Sequence, residues 1–139
     1  MKQLQLETFS RWESKSLGDD LYLFPKGGYS SVYADFATGT FCGEPISPND
    51  YLCMDITVLG DRAAGVCWEF WESGREGGTR KDAADMRIKM GLLPNLKTRI
   101  ALPFSALAAN TVFMPRTPGK LKTVVGGKPV HLDRLTKFA

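Results

Sequence analysis

The chain has 139 residues, enough for one compact domain with a single core, and its 43% hydrophobic and 24% charged content is that of a folded chain rather than a disordered one. Its net charge of +3 at pH 7 is unevenly spread: from Val112 onward Arg116, Lys120, Lys122, Lys128, Arg134 and Lys137 face a single acid, Asp133, while the remainder carries twelve basic and fourteen acidic residues. No apolar run is long enough for a membrane-spanning helix, and the opening "MKQLQLETF" lacks the apolar stretch of a secretory signal, which leaves a cytoplasmic protein or one trimmed from an exported parent.

Short segments of alternating polarity, separated by Gly, Pro, Asn and Asp, recur along most of the chain. "QLQLETF" (3–9) opens as a strand, Trp12 falls on an early loop, and "DDLYLF" (19–24) is stopped by "PKGG". "YSSVYADF" (29–36) places Val32, Ala34 and Phe36 on one face and Tyr33 and Asp35 on the other. "GTFCGEPISPND" is loop material, and "YLCMDITVLG" (51–60) then aligns Leu52, Met54, Ile56 and Val58 against Cys53, Asp55 and Thr57. In "GVCWEFWESG" (65–74) Val66, Trp68 and Phe70 form a core face, sending Cys67, Glu69 and Trp71 to the opposite side. After the polar loop 73–85 come "MRIKM" (86–90), with Arg87 and Lys89 outward, and "TRIALPF" (98–104), with Arg99 outward. "SALAAN" (105–110) makes one helical turn capped by Ser105, and "TVFM" and "KLKTVV" are short late strands around "PRTPG".

Strands this short, each with one apolar face, predict an all-β chain of two packed antiparallel sheets, a β-sandwich, with a closed barrel as the structural alternative. Residues 1–139 read as one such domain, part of a larger protein or complex, with 112–139 as a basic C-terminal extension. That extension reads as a solvated edge or as a dock for an acidic partner or nucleic acid. The three cysteines, 42, 53 and 67, have no metal-ligand spacing and read as free thiols, with a Cys53–Cys67 meeting across neighbouring strands as a secondary reading.

Signatures of catalysis are missing from the sequence: His131 is the single histidine, and no HExxH, GxSxG, P-loop or GxGxxG occurs. What the alternation offers instead is a polar face of Tyr33, Asp35, Asp55, Thr57, Glu69, Trp71, Arg87, Lys89 and Arg99. Aromatic rings stack on the C–H face of a sugar, while carboxylates and guanidinium groups meet its hydroxyl pairs. Tyr33, Asp55, Glu69, Trp71, Arg87 and Arg99 are therefore the candidate ligand-binding residues. The plain alternative for each is a half-solvated sheet face laced with cross-strand charge pairs.

The succession "GGYSSVYADF", "DYLCMDITVLG", "VCWEFWESG" and "MRIKMGLLPNLKTRIALPFSAL" resembles a galactose-binding-like jelly-roll module over about residues 20–107. The resemblance implies a non-catalytic carbohydrate-binding accessory domain of a glycoside hydrolase, partnered by a glycan and by an adjacent catalytic domain. It requires no cofactor, although members of this fold hold a structural calcium, for which Asp19, Asp20 and Glu7 are the candidates. The tail departs from the pattern, since it stops at "LDRLTKFA" where a further strand is expected to close the sandwich. Two rival functions stay open: a structural or protein-interaction domain packed on a catalytic neighbour, and a nucleic-acid-binding β domain using the basic tail.

Overall fold

The computed structural model describes residues 7–9, 12–17, 20–25, 31–35, 37–73, 84–112, 119–121 and 123–139, with backbone alone for 7–17, 25, 31 and 32 among them. Phe113 and Met114 of the expected strand at "TVFM", most of the 73–85 loop, and the placement of Phe36 and Asp19 lie outside these residues, while Thr111 and Val112 are described and not in a strand. The described residues form twelve strands: β1 Glu7–Phe9, β2 Trp12–Leu17, β3 Asp20–Pro25, β4 Ser31–Asp35, β5 Thr40–Phe41, β6 Glu44–Pro45, β7 Tyr51–Ile56, β8 Ala64–Glu72, β9 Met86–Leu92, β10 Thr98–Pro103, β11 Val124–Gly127 and β12 Leu135–Phe138. A short helix, α1 Phe104–Ala109, follows β10, and a 3-10 turn at Leu132–Arg134 leads into β12. The chain is all-β, and every pairing between these strands is antiparallel, as the alternation predicts.

The principal sheet has six strands in the order β1-β4-β12-β8-β9-β11, and β7 pairs with β10 in a separate two-stranded sheet. The six strands end in two edges, β1 and β11, so among the described residues the sheet does not close into a barrel. Trp68, Phe70, Met86, Ile88, Met90 and Leu92 from β8 and β9 share one core with Leu52, Ile100 and Leu102 from β7 and β10. Trp68 ties the two layers together: it is 2% exposed, and its indole Nε1 donates to Met54 Sδ at 2.7 Å. Phe70 meets Phe138 of β12 with ring centroids 5.5 Å apart. Leu107 of α1 closes the core at one end, beside Val130.

Four local expectations are corrected. Trp12 begins a strand, β2, which pairs with β3 along its whole length rather than lying on a loop. The "GTFCGEP" loop contains the small β5–β6 hairpin, whose Cys42 and Gly43 both take positive φ, the conformation a tight two-residue hairpin turn needs. The N-cap of α1 is Pro103, not Ser105, because β10 runs extended directly into the helix. The tail also supplies a strand: β12 is inserted between β4 and β8, so "LDRLTKF" fills a position inside the sheet. A close approach fixes this crossing, since Gly39 (φ 66°) donates its N–H to Leu135 O at 2.8 Å. A Cβ at Gly39 would sit 2.5 Å from the Asp133 carbonyl oxygen.

Candidate ligand-binding face

The six candidate residues separate into two groups. On β7 and β10, Asp55 stands directly opposite Arg99, and both point away from Leu52, Met54 and Ile100 on the core side of the same hairpin. On β8 and β9, Glu69 stands opposite Arg87, pointing away from Trp68, Phe70 and Ile88. Because the two layers turn their apolar faces toward one core, their polar faces look in opposite directions. The expectation that Asp55 and Arg99 share a face with Glu69 and Trp71 is therefore overturned.

Asp55 and Arg99 form a bidentate pair, with Arg99 Nε donating to Oδ1 at 2.7 Å and Nη2 to Oδ2 at 2.8 Å. The Arg99 hydrogen bonds, aided by Lys97 with Nζ 3.4 Å away, hold the Asp55 carboxyl down to about 2, and the same pairing raises Arg99. Thr57 and Cys53 lie on this exposed face too. Cys53 is thus across the core from Cys67, and all three cysteines are free. Cys67 sits half-buried beside Glu69; burial first, and then the Glu69 charge, push its thiol up.

The outer face of the six-stranded sheet holds the more structured arrangement. Glu69 is only 9% exposed, with Arg87 Nε at 2.7 Å from its Oε1, so this carboxylate is committed to its cross-strand neighbour. Toward β12 and β4 the face turns aromatic. Trp71 is half-buried on the outward side, as expected, and stands opposite Lys137, which in turn stands opposite Asp35. The Lys137 ammonium lies 4.4 Å from the centroid of the Tyr33 ring and 5.6 Å from that of Trp71. It also reaches to 3.9 Å from Asp35 Oδ1. Tyr33 and Trp71 come from strands separated by β12, and Lys137 is the side chain that joins them.

Lys137 was not legible in the sequence. "RLTKFA" puts its buried residues, Leu135 and Phe138, three apart, which breaks the period of two. The structure resolves the mismatch with a register shift between Leu135 and Lys137, a β-bulge at Thr136 that lets Leu135 and Phe138 both face the core while Lys137 faces out.

A second polar cluster lies at the core end of β8. Glu72 has a side chain with no exposure, accepts the His131 N–H at 2.6 Å, and has His131 Nδ1 3.2 Å from Oε2. Its own N–H donates to Asp85 Oδ2 at 2.7 Å. This cluster fastens the chain entering β12 to the end of β8, with the Glu72 carboxylate enclosed and the His131 ring exposed. Of the calcium candidates, Asp20 is exposed, while the side chains of Glu7 and Asp19 are outside the described residues. Among the described residues no group of three His, Cys, Asp or Glu side chains is placed to hold a metal ion. Comparison with protein-family models, with curated proteins and with solved structures found no match to this chain.

Proposed function

We propose that the chain is a non-catalytic carbohydrate-binding module of galactose-binding-like, jelly-roll type, and that its glycan lies on the outer face of the six-stranded sheet over Tyr33 and Trp71. The observation that carries this reading is the pairing of two aromatic rings, delivered from β4 and β8, around Lys137 and beside Asp35 on one outward face. Rings of this kind receive the C–H face of a sugar, while an ammonium and a carboxylate supply a donor and an acceptor for neighbouring hydroxyls. Glu69 and Arg87 border the site, and their mutual pairing suits them to orienting a ligand rather than to proton transfer. Asp55 and Arg99 have no part in this site. The two packed layers sharing one core support the sandwich architecture that the resemblance implies.

The test is a glycan-array screen followed by titration of the best oligosaccharide into the wild-type chain and into Tyr33→Ala, Trp71→Ala and Asp55→Ala. Binding that is lost in the two aromatic variants and retained in Asp55→Ala is the expected result. A screen without a binder, or binding equally strong in Trp71→Ala, overturns the proposal.

A further inference from the structure

Apart from Lys137 the basic tail is not used by the glycan face; of its other described members Arg134 leads into β12, while Lys120 and Lys128 lie at the opposite side of the sheet. Among the described residues β11 is the edge strand there, paired with β9 alone. With strands about 4.8 Å apart, it stands roughly 19 Å across the sheet from β4. Edge strands are normally shielded by bulky charged side chains or by bulges, because their outward N–H and C=O groups template further pairing. β11 carries neither: it reads Val-Val-Gly-Gly, Val124 is 51% exposed, and a side chain at Gly126 would meet open space.

The surface beside this edge is aliphatic and rimmed by positive charge. Leu121 lies over Gly91 on the outer face, where a Cβ on Gly91 would approach Leu121 Cδ1 to 2.8 Å. Leu121 and Leu93 are both exposed large apolar residues at this corner. Lys89 stands opposite Val124, Lys120 bridges to Leu92, and Lys128 follows the strand directly. Asp85, whose backbone meets Lys128, is already engaged, its carboxylate by the Glu72 N–H and its carbonyl by the Lys128 N–H.

We propose that the free edge of β11 takes an extended, acidic segment of a partner protein as an added strand, with β-branched residues of that segment resting on Val124 and Leu121. Main-chain hydrogen bonds supply the attachment, and alternate side chains and charge supply the selectivity. A second copy of this chain fits the edge poorly, because pairing β11 with itself sets the lysine rims against each other. Nucleic acid fits poorly too, since the described residues of this corner present aliphatic side chains and no ring on which a base can stack.

The experiment is selection from a displayed library of random peptides about ten residues long, enough to span one strand. Amide hydrogen exchange of the enriched complexes follows. The expected outcome is a consensus that alternates acidic with β-branched residues, new protection at residues 124–127, and affinity that falls as salt rises. Lys89→Glu and Val124→Glu, each with an unchanged circular-dichroism spectrum, should weaken binding at least about tenfold, whereas Trp71→Ala should leave it unaltered. That last variant separates this proposal from the glycan reading, because either can fail alone. No enrichment, a neutral or basic consensus, or protection elsewhere in the chain overturns it. So does sedimentation showing a dimer that protects 124–127 by itself, or displacement of the peptides by an oligonucleotide.

Discussion

Leu135→Ala tests the placement of β12 most directly. Leu135 is fully buried opposite Glu72, on a strand flanked by β4 and β8. Truncating a buried leucine costs about 2.7–5.0 kcal/mol, with the higher values where the surroundings cannot collapse into the cavity. β8 on one side, the Gly39 backbone on the other and a core beneath leave little room for collapse, so a cost of about 4 kcal/mol is expected. Unfolding entropy near 2.1 cal/mol/K per residue gives about 0.29 kcal/mol/K for this chain, so that loss lowers Tm by roughly 14 °C. Leu121→Ala is the control: Leu121 is 48% exposed, and its truncation should cost about 1 kcal/mol or less. Thermal and urea denaturation of both variants, with equal m-values, provide the comparison. If Leu135→Ala lowers Tm no further than Leu121→Ala does, β12 is not an inner strand and the aromatic face built on Lys137 loses its basis.

Trp68→Ala should cost about 3–5 kcal/mol in chemical denaturation, and Trp71→Ala clearly less, because Trp68 is buried and Trp71 only half-buried. An NMR titration should place the Asp55 midpoint near 2, and Arg99→Gln should return it toward the ordinary 3.8. Since the folded-state value lies below the unfolded one, whatever stability Asp55 contributes is present above about pH 4 and is lost as pH falls through about 2. Alkylation at mildly alkaline pH, followed by peptide mass spectrometry, should modify Cys42 and Cys53 before Cys67, whose thiol is half-buried and raised.

Period-two alternation identified β7, β8, β9 and β10, and with them Trp68 as core and Trp71 as outward. Alternation states which side of its own strand a residue occupies. It carries no information on which sheet that strand joins. Asp55 and Glu69 were therefore both correctly read as pointing away from the core, yet they belong to opposite faces of the molecule. β2 escaped notice because "WESKSL" has no apolar series to mark one face. Lys137 escaped because a bulge shifts the phase of a four-residue strand, and no window that short can reveal a phase shift. The Ser105 cap failed for a different reason: a serine before an apolar run signals an N-terminus only when the preceding backbone leaves room for the cap, and Pro103 had already taken that place.

The position of β12 also sets an order of events for folding. β4 and β8 cannot join one continuous sheet until the last stretch of this chain arrives between them, and Thr136 meets Trp71 across 65 positions of sequence. During synthesis, the β8–β9 hairpin can form from neighbouring residues, while the edges of β4 and β8 that later accept β12 stand open. Pairings of such long range come late and slow the reaction, because the chain between the partners must be ordered before any contact rewards it. Until then, the two open edges are the surfaces through which a nascent chain would misassemble, and protection from a chaperone would count most in that interval.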